Sequence, residues 1–441
     1  MSVAAQLAIA FGSVACLLVL MALVRRLTVS AEVKRKLVHV GTGIYAMGLP
    51  WLFPDRWPVY MIVGLTLVMM VIMRMPQISG RLGEAVHSVE RRSYGDFLLA
   101  ISVGLCFFLA DGVALLYVLP IAVLTLADAA AALAGTAYGT RRFKVEQGVK
   151  SVEGTVVFFV ITLLVALICL MFLSDLPPLN ILTLALLVAG FGALVEAQSW
   201  RGFDNLFLPL GLLVLLEVHS HSNLWELVPI AVIFALAIIA ARAVGPRFGL
   251  STHAARVYVV AIFLILASVE LQNAILPALV LVAYPWANAR NPGGDDFGDL
   301  DMVAGLALFS FGWLALGNAV GWNAVQFYGL TAMGLVMGLS TLALRHKLIW
   351  VPVIAAALLG VRQVVTGLNP PHSLWAEPLL VLACLCLALS AVASAAMPGL
   401  FFRHRVLKLT LIAMILPLAY FALAVMDQGG ALPQTEETHD D

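Results

Sequence analysis

Charge is what this sequence has least of: 11% of its residues are Asp, Glu, Lys or Arg, and 62% are hydrophobic. Soluble domains carry about a quarter charged residues, so a water-facing globular surface is excluded. Basic and acidic residues balance at 25 each, which leaves no bulk signal for nucleic acid or an acidic partner. Cysteine is scarce too. Cys16, Cys106, Cys169, Cys384 and Cys386 all lie in apolar segments, and none has metal-ligand spacing. Neither a disulfide framework nor a zinc site follows; they read as small buried side chains. The first apolar stretch, from about Val3 to Val24, has no basic residue before it and no small-residue cleavage site. It reads as a retained span rather than a signal peptide.

What the chain does have is apolar runs. Mean hydropathy is +1.01, and runs of about 17–25 residues, long enough to cross a bilayer, recur from end to end. The expected fold is all-α, a polytopic helical membrane protein with about 14–16 transmembrane helices. Spans are expected near 3–24, 38–53, 57–75, 96–110, 112–135, 154–174, 178–199 and 206–217. A second set falls near 224–244, 256–273, 274–288, 300–322, 325–344, 348–366, 373–397 and 405–426. With the N-terminus outside, every basic residue except Arg56 and Arg362 falls on the inner side, as the positive-inside rule expects. The expected location is a plasma or inner membrane, with the active site on the cytoplasmic face.

Polar clusters of the first half all land on that face: "RRLTVSAEVKRKLVHVGTG", "RLGEAVHSVERRSYGD", "GTRRFKVEQGVKSVEG" and "EAQSWRGFDN". They do not recur in the second half, which argues against a transporter built from two similar halves. Three parts are expected: a domain over 1–217, a second multi-span domain of open role over 218–426, and an acidic, solvated tail over 427–441. The acidic loop "NPGGDDFGDLD" lacks EF-hand spacing and reads as a helix-capping loop.

Asp128 lies inside an apolar run, about seven residues or roughly 10 Å from its inner end. An ionisable group there points to function by default. Asp128, Ala132, Gly135 and Gly139 share one helix face with little side-chain volume. That face is either a small-residue packing seam or a place where a phosphate approaches the backbone. Lys150, Ser151, Glu153 and Gly154 then set a cation, a hydroxyl and a carboxylate at the lip of the next span. Lysine suits a phosphate. Paired carboxylates such as Asp128 and Glu153 suit a magnesium ion that shares phosphate oxygens, the equipment of phosphoryl transfer. Lys34, Arg35, Lys36 and His39 stand at the mouth of the second span, where anchoring to anionic lipid is the competing account. Glu196 sits near the inner end of one span, and Asp204 and Asn205 in the turn before another.

The order RK-L-H, "RRSYGD", D-A-A-x-A-L-x-G-x-x-x-G, KS-x-EG and E-A…DN-x-x-x-PL, over about residues 30–216, resembles the polyprenol kinase family. This family comprises CTP-using dolichol, phytol and farnesol kinases and CTP-dependent diacylglycerol kinases, and is related to phosphatidate cytidylyltransferases. The resemblance implies transfer of the terminal phosphate of CTP, or ATP, to a lipophilic alcohol, with Mg2+. It matches Arg35 and Lys36 to the basic pair and Asp128, Gly135 and Gly139 to the aspartate-glycine motif. Lys150, Ser151, Glu153 and Gly154 match the KS-x-EG turn, and Asp204 and Asn205 the Asp-Asn motif. Where the family commonly has glycine before the aspartate, this chain has Ala127. The expected roles follow. Lys150, Arg35 and Arg141 meet nucleotide phosphates, Asp128 and Glu153 hold magnesium, and Glu196 or Asp204 takes the hydroxyl proton. Competing readings are a diacylglycerol kinase or phosphatidate cytidylyltransferase and, from another class, a lipid or anion transporter.

Overall fold

The computed structural model describes residues 1–73, 95–145, 148–197, 202, 204–243, 252–294, 298–345, 347–369 and 379–427. The acidic tail and much of the acidic loop lie outside them, as do most residues of "RLGEAVHSVERRSYGD". The described residues are helical almost throughout, and the strands among them form one two-stranded hairpin. Among the described residues, ten helices are long and apolar enough to cross a membrane, with three shorter apolar helices beside them. The protein is a multi-pass, all-α membrane protein.

The fourteen to sixteen spans expected exceed the ten long helices for local reasons. The segment at 38–53 belongs to a helix running Ala31–Met47, whose first half is polar. The run at 274–288 is broken into a turn of 3-10 helix, Leu271–Ala274, a single α turn, Ile275–Ala278, and the helix Val280–Arg290. Pro277 supplies the break, because it has no N–H for the helical ladder.

Two compact units divide the chain, Met1–Ala231 and Val232–Asp441. The first contains α1 (Val3–Arg25), α2 (Ala31–Met47), α3 (Trp57–Met73), α4 (Gly95–Leu109) and α5 (Ala114–Ala122). A π-helical turn, Val123–Ala127, joins α5 to α6 (Asp128–Tyr138). The hairpin follows, β1 (Arg142–Val145) and β2 (Gly148–Ser151), then α7 (Val152–Leu173), α8 (Pro178–Ala197) and α9 (Asp204–His219). The division between the units falls within α10 (Leu224–Ala243).

Helix α2 shows how the bundle sorts its side chains. Lys36 and Gly43 are buried, while Leu37 and Ile44 are exposed. This inversion of the soluble pattern suits a helix whose outer surface meets lipid. Gly43 lets α2 lie against the π turn, since a Cβ there would come within 2.0 Å of Thr125 Oγ1. Nearby, the Tyr117 hydroxyl of α5 donates to the Ala46 carbonyl at 2.7 Å. The two helices are thereby pinned at two levels.

The second unit holds α11 (Thr252–Ser268), α12 (Val280–Arg290), α13 (Gly298–Val320), α14 (Val325–Leu344), α15 (Val351–Leu368), α16 (Leu379–Ala396) and α17 (Arg405–Asp427). Helix α14 is its axis and is buried along nearly its whole length. The acidic loop does cap a helix: Asp301 accepts from the Val406 and Leu407 amides at 2.6 and 3.3 Å, at the start of α17. The cap belongs to a distant helix rather than to the one that carries Asp301.

Candidate functional site

The site is assembled at one end of the first unit, where α2, α7 and α9 begin and α6 and α8 end. Two ion pairs define it. Lys36 Nζ lies 2.5 Å from Asp128 Oδ2, and Lys150 Nζ lies 2.5 Å from Glu196 Oε1. The Lys150 ammonium also donates to the Glu196 backbone carbonyl. Lys36 is 4% exposed and its partner 16%, so this pair is drawn well out of water. Losing one member would strand the other charge.

Asp128 owes its position to the π turn just before it. Such turns interrupt the regular α ladder and are frequent at functional sites. His39, one turn beyond Lys36 on α2, reaches the same place. Its Nε2 is 3.0 Å from the Leu124 carbonyl within the turn and 3.4 Å from Asp128 Oδ2. Only a protonated Nε2 can face a carbonyl at that distance, which fixes the donor on this nitrogen. His39 therefore steadies both the turn and the carboxylate.

Around these pairs stand further carboxylates. Asp204, at the start of α9, lies within electrostatic reach of Lys150, Asp128 and Lys36, and Glu196 is within reach of Asp128 and Asp204. Glu196 Oε2 and Asp204 Oδ1 are both buried with no hydrogen-bond partner among the described residues. Buried acceptors without donors are uncommon and call for an explanation. Asn205 has a structural task, donating from Nδ2 to the Gly95 carbonyl at 2.9 Å and so joining the starts of α9 and α4.

Several expected roles change on this geometry. Glu153 does not face Asp128's partners; it accepts from the Thr140 hydroxyl at 2.5 Å and the Arg141 amide at 3.1 Å. It ties the start of α7 to the chain entering the hairpin. The carboxylates that come near Asp128 are Glu196 and Asp204, so the expected magnesium pair Asp128–Glu153 is not the one brought together. Among the described residues, no group of three or more His, Cys, Asp and Glu side chains could hold a metal ion. A magnesium ion here could therefore draw on at most two of Asp128, Glu196 and Asp204 at once, with phosphate and water completing the shell. Arg35 is paired with Glu32 at 2.7 Å, its side chain 46% exposed, and it feels the buried carboxylate only at longer range. Of the basic pair, Lys36 is the member inside. Arg141 is exposed at the foot of the hairpin.

The glycine face is occupied by protein. A Cβ on Gly135 would lie 2.8 Å from Ser151 Oγ, and one on Gly139 would lie 2.8 Å from Ser151 Cβ. One on Gly154 would meet the Ala131 carbonyl at 2.9 Å. Ser151 is also the cap of α7, accepting from the Gly154 amide at 3.0 Å. The small residues are the seam that lets α6 and α7 touch, in place of the phosphate approach held open by the sequence. Their effect on the site is indirect: the seam sets Lys150, beside Ser151, at the end of α8. Asp96, inside the quoted "RRSYGD", was passed over by sequence reasoning and lies within electrostatic reach of Arg35. Its place in the first turn of α4, on the inner face, was the available signal.

A curated protein from Synechocystis sp. (strain ATCC 27184 / PCC 6803 / Kazusa) described as "Phytol kinase" is 34% identical to this chain over 208 residues, 46% of this chain and 85% of that protein. No family model matches the chain, and no solved structure does.

Proposed function

The chain belongs to the polyprenol/phytol kinase family, and from that premise we propose that its first unit transfers the terminal phosphate of a nucleotide, CTP in the first instance, to the hydroxyl of an isoprenoid alcohol such as phytol, farnesol or dolichol. The enzyme is a kinase of a lipid alcohol. The observation that carries the assignment of the site is the convergence of Lys36, Asp128, Lys150, Glu196 and Asp204, drawn from five separate elements, at one end of the bundle. By the bias of basic residues that end is cytoplasmic, where a nucleotide is available.

The chemistry assigned to these side chains is as follows. The alcohol oxygen attacks the terminal phosphorus and forms the new O–P bond. The bond from that phosphorus to the bridging oxygen breaks, and the nucleoside diphosphate leaves with the electron pair. The hydroxyl proton passes to a carboxylate, for which Asp204 Oδ1 and Glu196 Oε2 are the acceptors without a competing donor among the described residues. Lys36 and Lys150 exchange part of their pairing with Asp128 and Glu196 for phosphate oxygens. The negative charge of the nucleotide repays what the ion pairs give up. Magnesium, held by Asp128 with Asp204 or Glu196, supplies neutralisation of phosphate charge when bound. The prenyl chain stays among the apolar helix faces, its hydroxyl at their polar end.

The test is transfer of labelled terminal phosphate from CTP or ATP, by purified protein, to phytol, farnesol, undecaprenol and diacylglycerol in turn. Label is expected in an isoprenoid phosphate. Diphosphate release with a CDP-lipid, or no nucleotide consumption with any acceptor, would contradict the proposal.

A further inference from the structure

The hydrogen bond from His39 to the Leu124 carbonyl has a consequence beyond helix packing. Lys36, His39 and Gly43 fall three and four residues apart on α2 and so share one face, the face that meets the π turn. His39 is 12% exposed there, and its Nε2 donates to Leu124 at 3.0 Å. In an unbroken α-helix that carbonyl would accept from the amide of Asp128 itself, four residues on. Across Val123–Ala127 the helix is π instead, and the π pattern pairs groups five apart. The histidine thus donates to the carbonyl that α geometry would return to Asp128.

The alternative geometry matters for the site. Closing the turn to α would shift the pairing by one residue, about 100° of helix rotation, and take the carboxylate away from Lys36, now 2.5 Å distant. Among the described residues, no other side chain hydrogen-bonds to the turn: the Thr125 hydroxyl, next to Leu124, is buried without a partner. The same Nε2 lies 3.4 Å from Asp128 Oδ2. One N–H therefore faces both the carbonyl that sets the turn and the carboxylate that the turn presents.

We infer that His39 is a positioning residue for phosphoryl transfer: its hydrogen bond to the Leu124 carbonyl keeps the π turn open and so holds the Asp128 carboxylate against Lys36. This rests on the kinase reading of the centre. His39 acts through Asp128, as the outer partners of a functional carboxylate do, and such partners are worth about 10–100-fold in activity.

Two amide substitutions separate this role from packing. The amide nitrogen of glutamine can stand where Nε2 stands, whereas that of asparagine stands near Nδ1, short of the carbonyl. With labelled CTP and an isoprenoid alcohol, and turnover normalised to folded full-length protein, His39→Asn should lower kcat about 10–100-fold and leave KM for the alcohol unchanged. His39→Gln should restore most of that loss. In thermal unfolding without nucleotide or metal, His39→Gln should lie closer to the unmodified protein than His39→Asn. A folded His39→Asn with unimpaired kcat, or a His39→Gln as slow as His39→Asn, would overturn the inference. Should His39→Asn not fold, His39→Gln decides alone: kcat near the unmodified value supports the role, and a loss of about tenfold or more overturns it. No transfer by the unmodified protein would fault the kinase reading instead. The unfolding comparison would then still decide whether the bond holds the turn, and a His39→Gln no more stable than His39→Asn would contradict it.

Discussion

At the scale of single residues, the site depends on which charges are already committed. Glu153 is bonded to Thr140 and the Arg141 amide, so Glu153→Gln should leave the magnesium dependence of phosphoryl transfer unchanged and cost only some stability. A shifted magnesium requirement in that variant, measured by titrating the metal at fixed nucleotide, would return Glu153 to the metal site. In the sequence Asp128 stands out as a costly group in an apolar run, and in the structure it is paired with Lys36. The sequence had no means of choosing Lys36 over Arg35, because adjacent residues on a helix differ by about 100° of rotation and only the packing of α2 says which one turns inward. Nor did it foretell that Glu153 has local partners. A carboxylate in the first turn of a helix is favourable near the helix N-terminus and is satisfied without any metal.

At the scale of elements, glycine does the positioning. Gly43 brings α2 against the π turn, and the nearest obstacle to any larger residue is Thr125, whose buried hydroxyl has no partner among the described residues. Gly43→Ala should therefore push α2 away, lower thermal stability by about 1–3 kcal/mol and misplace Lys36. Adding Thr125→Ala removes the clashing atoms and should restore both stability and activity. A double variant no better than the single one would mean that the contact is unimportant. The helices themselves were plain from apolar runs and breakers. The hairpin was not: Arg142–Val145 and Gly148–Ser151 read as a cationic loop, since four-residue strands leave almost no alternation to detect. The π turn was equally hidden, because it inserts into a continuous apolar run without changing its composition.

For the whole molecule, the division of labour between the units is the open matter. All site residues lie within Met1–Ala231, and the chain's similarity to its relative extends over 46% of its length. A fragment of residues 1–243, ending with α10, should phosphorylate isoprenoid alcohol in the same membrane preparation as the full chain. A correctly inserted but inactive fragment would assign the second unit a part in catalysis. Charge bias along the sequence puts the polar clusters of the first half at one set of helix ends, and within the first unit residues of those clusters form the two ion pairs. Sequence alone gave no role to the second half.

The most direct measurement is the turnover of Asp128→Asn with labelled CTP and an isoprenoid alcohol, beside its insertion and its elution as a folded species. The account predicts normal insertion, a folded species of lowered thermal stability because Lys36 loses its counterion, and turnover lowered about a thousandfold, since the carboxylate at the centre of the cluster loses its charge. Turnover close to that of the unmodified protein would contradict the assignment of this cluster as the catalytic centre.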